Sequence, residues 1–214
     1  MAIESLSKRF FFDSIFLRIE HTKTKRIEPT MGKVYETIDD EVAAFINYQH
    51  IFFVATAPRA DDGLLNCSPK GIKKTFKIID PRTVAYLDFT GSGVETIAHL
   101  KENGRIVIMF CAFDGAPNIL RIYGKGEVIE PHHRDFDDLY AHFDDYVDVR
   151  SIIRVDIGRI ADACGFGVPL YEFRTERESL FKHARSKGPK EMADYRSRKN
   201  RSSLDGLPGL DLPD

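Results

Sequence analysis

Residues 51–89 hold four short runs rich in β-branched and aromatic residues, and turn chemistry rather than helix separates the members of each pair. Ile51–Ala57 and Leu64–Ser68 flank Pro58-Arg59-Ala60-Asp61-Asp62-Gly63, a string of residues that favour reversals. Phe76–Ile79 and Thr83–Phe89 flank Asp80-Pro81-Arg82, whose proline fixes φ for a tight turn. Further strands are expected over Arg105–Ala112, Asn118–Ile129 and Ser151–Ile160, the first two joined by a loop containing Gly115 and Pro117. Parallel strands need a crossover between every pair, and consecutive hairpins leave no room for one. The expected fold is therefore mainly β with some α: a small antiparallel β-barrel with peripheral helices.

The helices are short and signalled by their ends. Thr37 with Asp40 forms a variant capping box ahead of Val42, Phe45 and Ile46, which predicts a helix over about Asp39 to Gln49. Ser92 with Glu95 forms a second box ahead of Thr96, Ile97 and Leu100, and Gly104 can close that helix in a left-handed cap. Phe136, Leu139, Tyr140 and Phe143 make an apolar stripe that belongs over the strands. From Thr175 the chain turns polar and helical, breaks at Gly188-Pro189, and passes into the turn-rich Ser203–Gly209. The 214 residues fit one core. The expected divisions are an N-terminal extension over 1–30, a barrel domain over 31–174, and C-terminal helices and tail over 175–214 packing on the barrel.

Charge and cysteine content narrow the partners. A net charge of -2 supplies no field for nucleic acid or an anionic membrane, so neither is expected. Three cysteines, odd in number and without a CxxC pair, indicate a reducing compartment, hence a cytoplasmic protein. The apolar patch of Phe10–Phe12 and Ile15–Leu17 is interrupted by Asp13 and Ser14, too short for a spanning helix and without the cleavage pattern of a signal peptide. His132 and His133 are adjacent and cannot both face one metal from a regular element, so no metal site is assigned. Cys164 lies among Gly165, Phe166 and Gly167 with no basic neighbour to activate a thiolate.

Two segments carry chemistry. In Asp88–Leu100, a strand ends in Thr90-Gly91-Ser92-Gly93 and feeds a helix, so the backbone N–H groups of Gly93 and Val94 and the hydroxyls of Thr90, Ser92 and Thr96 converge at the positive helix end. That junction suits a phosphate; it equally suits plain capping by Ser92. In Asn66–Gly71, Ser68 and Lys70 either reach an anion or stand in solvent at a strand end that Pro69 terminates.

Together, the strand ending in PKG and the strand ending in FTGSG followed by ETIAHL resemble the FMN-binding split barrels related to pyridoxamine 5'-phosphate oxidase. Ile108–Phe113, Ile119–Ile129, the CGFGVP turn at Cys164–Pro169 and Ser203–Leu210 extend the likeness over about Met31 to Leu210. It is closer to the uncharacterised bacterial branch of that family than to the vitamin-processing oxidase. The resemblance implies FMN in a groove at the interface of a homodimer. Lys70 and Gly71 match the family's lysine-glycine pair, Thr90 its strand-end threonine, and Arg121 and Gly124 the arginine and glycine of a later strand. Leu65 stands where the oxidase has a phosphate-binding arginine, and Val94 and Thr96 stand where it has serine and lysine. The oxidase's C-terminal arginine signature is absent too, which argues against pyridoxamine phosphate as substrate.

The implied cofactor site is Ser68, Lys70, Gly71, Asp88, Thr90, Gly91, Ser92, Gly93, Thr96 and Arg121, with no side chain required as acid or base. The implied activity passes electrons between a reduced donor and a small organic acceptor. A deazaflavin F420 reductase of the same fold, or a non-catalytic ligand-binding module, are the alternatives.

Overall fold

The structure is a computed structural model and describes residues 32–213; the extension expected over 1–30 lies outside the described residues. After β1 (Val34–Tyr35), helix α1 spans Asp40–Tyr48 and buries Val42 and Ile46. Its cap is Asp39, whose Oδ1 accepts from the Val42 N–H at 2.8 Å. The Thr37–Asp40 box is thus not the one used, because Asp40 already lies inside the first turn.

The first hairpin pairs β2 (Phe52–Thr56) with β3 (Asn66–Lys70), and the second pairs β4 (Phe76–Asp80) with β5 (Thr83–Phe89). β3 continues to Lys70, opposite Phe52, with Pro69 inside it; it is an edge strand, where a missing N–H breaks no ladder. Helix α2 (Glu95–Asn103) follows β5. Its cap is Val94, without a side-chain capping bond, so the Ser92–Glu95 box does not form; Ser92 sits exposed two residues further out. Gly104 closes α2 in the left-handed region at φ 70°. β6 (Arg105–Cys111), β7 (Ile119–Ile129), the short α3 (Phe136–Tyr140), β8 (Val149–Ala163) and α4 (Ser179–Lys199) complete the chain, with α4 interrupted at Gly188.

All pairings are antiparallel, in the order β3-β2-β6-β7-β8-β5-β4, with β1 also on β8. β8 has β7 along one side and β5 and then β1 along the other, so it has to bend. A register shift at Tyr123/Gly124 provides the bend, and a Cβ on Gly124 would collide with the Asp156 carbonyl oxygen. The sheet curls around Val54, Ile108, Ile122, Ile153, Val155 and Ile160, all fully buried. Each such side chain contributes roughly 2 kcal/mol of burial.

β3 and β4, the ends of the path, do not pair. Aromatic contacts bring their sides together: Phe76 meets Phe52 at 5.1 Å and Phe110 at 5.2 Å between ring centres. The fold is accordingly a split antiparallel β-barrel with peripheral helices. Leu139 and Phe143 form a second cluster with Ala85, Leu87, Ile129 and Ile152. Leu210, far along the chain, enters the main core.

Candidate functional site

Asp88 stands one residue before the end of β5, with its carboxylate wholly buried. Two cations converge on it: Lys70 Nζ at 3.0 Å from β3 and Arg150 Nε at 2.7 Å from β8. Arg150 reaches inward because the β5–β8 register shifts beside it, between Asp88 and Phe89. Burial pushes the Asp88 carboxyl up, but Arg150 and Lys70 outweigh it and hold the group at about 2. One negative and two positive charges leave the cluster with a surplus of +1.

The turn after β5 is fastened from the C-terminal side. Arg150 donates from Nη1 to the Gly93 carbonyl at 2.9 Å and to Asn200 Oδ1 at 3.0 Å, while Asn200 Nδ2 donates to the Gly91 carbonyl at 2.9 Å. Arg196 donates to Thr90 Oγ1 at 3.2 Å and pairs with Asp148 at 2.6 Å. The carbonyls of Gly91 and Gly93 are thereby engaged by Asn200 and Arg150, and Ser92 and Gly93 remain exposed. A Cβ at Gly91 would meet nothing within 4 Å, so space lies beside the turn.

A second polar chain links β3 to α2. Ser68 Oγ donates to Asn66 Oδ1 at 2.9 Å, and Asn66 Nδ2 donates to Thr96 Oγ1 at 2.9 Å and to Thr56 Oγ1 at 3.2 Å. Thr56 in turn meets His99 Nδ1 at 2.9 Å. His99 is fully buried with Nε2 unpartnered, and burial lowers its pKa, which favours the neutral ring.

The structure thus brings Ser68, Lys70, Thr90, Gly91, Ser92, Gly93 and Thr96 around one junction, with Asp88 beneath it, able to reach a ligand only through Lys70. Gly71 follows Lys70 and lines a large neighbouring cavity. Arg121 is not part of this group. It lies on β7 opposite Met109 and Ala161, in a recess of about 130 Å³ with Phe53, Ala55, Cys67, Val107 and Tyr123 on the outer face of the sheet. The sequence reading missed Asn66, His99, Arg150, Arg196 and Asn200. Apart from Ser68, two residues from Asn66, the partners named above lie 10 to 109 residues away, and no local spacing marks them.

Among the described residues, no helix is long and apolar enough to cross a membrane. His132 Nε2 lies 3.9 Å from Asp211, while His133 Nε2 lies 3.9 Å from Glu127.

A curled antiparallel sheet, split at one seam, with a charged junction between β5 and α2, defines the class. Residues 38–164 match the family described as Pyridoxamine 5'-phosphate oxidase. The chain is also 39% identical over 198 residues to the Pyridoxamine 5'-phosphate oxidase family protein ustO of Aspergillus flavus, a match covering 82% of this chain and 77% of that protein. The chain belongs to the pyridoxamine 5'-phosphate oxidase family. Among solved structures, HupZ of Group A Streptococcus overlaps at a TM-score of 0.44 with 22% identity, covering 57% of this chain and 91% of HupZ. An FMN-binding protein from Syntrophomonas wolfei overlaps at 0.42 with 19% identity, covering 60% of this chain and 82% of that one.

Proposed function

We propose that this chain is a cytoplasmic, homodimeric oxidoreductase that anchors the phosphate of FMN at the β5–α2 junction and passes electrons between a reduced donor and a small organic acceptor. The observation that carries this reading is the buried Lys70–Asp88–Arg150 cluster, with one more cation than anion, beneath an exposed Ser92-Gly93 turn that the Glu95 carboxylate borders on its helix side. Lys70 uses one of its three N–H donors on Asp88 and keeps two for an anion. The hydroxyls of Thr90 and Thr96 each accept a bond from a neighbour and keep a proton to donate. Arg150 and Asn200 hold the turn's carbonyls away from the anion, which leaves its N–H side to add to the attraction. The donor set therefore fits a phosphate, with Lys70 doing the work that Leu65 and Thr96 cannot share as cations.

When bound, FMN supplies the electron transfer itself, and the chain's residues bind, orient and shield it. Leu210 packs into the core and Asp211 pairs with Lys101 at 2.7 Å, so this stretch serves packing rather than recognition of pyridoxamine phosphate. The reading of a homodimer draws on the outer face of β2, β3, β6 and β7. Phe53, Val107 and Met109 are only half-buried there and Tyr123 is exposed, an apolar surface of the kind a second copy covers.

The visible absorption spectrum of the purified protein, with identification of any released flavin, tests the reading. FMN at one per chain supports it, and Lys70→Ala and Thr96→Val should then each lower FMN retention with the fold intact. Unchanged occupancy in both variants would refute the site. A colourless protein that fails to bind added FMN would move the assignment to F420 or to a non-catalytic module.

A further inference from the structure

Beyond β8 the chain runs from Gly165 to Glu178 without regular structure, yet exposes Phe166, Leu170, Tyr171 and Phe173. Such a density of large apolar side chains is foreign to a solvated linker. The segment is fastened to the barrel at two points. The Tyr171 N–H donates to the Phe113 carbonyl at 2.8 Å with the two rings 5.5 Å apart, and Phe173 lies flat on His50 at 3.7 Å with 4° between the ring planes. Fastened this way it forms a strap, and the family match at residues 38–164 stops before it.

Between strap and barrel lies a cavity of about 1140 Å³, somewhat larger than the roughly 300–1,000 Å³ usual for small-molecule sites. Tyr48, His50, Phe53 and Phe113 wall it from the barrel, Tyr171 and Phe173 from the strap. Its ionic groups are unbalanced: Asp114, Glu172 and Glu176 face a single guanidinium, Arg177. Asp114 is already engaged by the Tyr48 hydroxyl at 2.9 Å. Glu176 is different, because its Oε1 is buried with no hydrogen-bond partner. Buried acceptors in folded proteins have partners, and an orphan at a cavity wall marks where a ligand's donor belongs.

We propose that this cavity binds a planar aromatic molecule carrying a protonated amine or ring N–H, with Glu176 as the acceptor and the strap as its cover. Flat aromatic walls stack a flat ring and attract a cation through their π faces. The excess of carboxylates attracts positive charge and repels anions. The stacked His50–Phe173 pair forms the wall on which such a ring would pack, half of it from the barrel side and half from the strap. Gly71 lines the cavity directly after Lys70, so the cavity adjoins the junction assigned to FMN phosphate. Naming the bound molecule the electron acceptor rests on the flavin reading; the binding itself does not.

Proflavine, a planar tricyclic cation, is the probe, and the anionic aromatic anilinonaphthalene sulfonate is its control. Both are titrated calorimetrically into the full chain, once as purified and once stripped of any flavin. The expected result is saturable binding of one proflavine per chain and at least about tenfold weaker binding of the anion. Glu176→Gln and Phe173→Ala should each weaken proflavine by about tenfold, a difference near 1.4 kcal/mol, with circular dichroism unchanged. Absence of saturable proflavine binding, equal binding of the anion, or an unaltered affinity in Glu176→Gln overturns the proposal. Flavin content is read separately from visible absorbance. Proflavine binding without FMN would remove the flavin reading and keep this one, and FMN without proflavine would do the reverse.

Discussion

Asp88→Asn removes the only negative charge from a buried cluster of three. The Asp88 side chain is 0% exposed, Arg150 5% and Lys70 24%. In the variant the two cations face each other across a neutral amide, and Arg150 has no route to water. Removing one partner of a buried ion pair costs about 3–5 kcal/mol. Lys70 can swing toward solvent and relieve part of this, so the lower end, about 3 kcal/mol, is the expected loss. Lys70→Met leaves the Arg150–Asp88 pair intact and should cost only about 1 kcal/mol. Asp88→Asn combined with Lys70→Met should recover part of the loss, because only one cation is then unpaired. Urea unfolding with a constant slope reads all three values.

The same carboxylate sets an acid limb. Its pKa falls from 3.8 to about 2 on folding. A depressed carboxyl contributes stability that is full above about pH 4 and lost as the pH falls toward 2, here roughly 2 kcal/mol. Asp88→Asn should lack that limb. A loss under about 1 kcal/mol in the variant, or an unchanged acid limb, would refute the picture of a dry, mutually dependent cluster.

Asn200→Ala strips Arg150 of an acceptor and the Gly91 carbonyl of a donor, and should cost about 2 kcal/mol in the same unfolding assay. Gly124→Ala drives a Cβ into the Asp156 carbonyl at the bend of β7, and thermal unfolding should show a loss of about 1–3 kcal/mol. His99 titrates below its ordinary 6.5 in the folded protein, so the unfolded chain binds the extra proton first. Stability should therefore decline as pH drops below that range, and His99→Gln should flatten the decline when unfolding midpoints are compared between about pH 7 and 5.

The hairpins were legible because their information is local. Asp80-Pro81-Arg82 fixes a reversal within three residues, and the observed strands around it run over Phe76–Asp80 and Thr83–Phe89, within one residue of expectation. The break in the last helix was legible for the same reason, since Gly188 takes φ 73° before Pro189. The start of the first helix differs from expectation because two acceptors, Thr37 and Asp39, compete for it. Asp39 lies two residues beyond Thr37, directly before the helix, and its carboxylate captures the free Val42 N–H.

At the site, Lys70, Thr90 and Thr96 could be named because each sits in a segment with its own signature. Arg150 could not, because its role depends on a register shift between strands some sixty residues apart. Asn200 was equally silent, since an asparagine at a helix end reads as a cap until the Gly91 turn is brought against it.

Leu210 shares one core with Ile38, Val54, Ile108 and Ile160, residues that leave the ribosome well before it does. The barrel's ladders can form while synthesis continues, but the apolar surface that Leu210 covers stays bare until that residue emerges and docks. Nascent chains arrested short of that residue should therefore present an unfinished apolar interior, the kind of surface on which chaperones act.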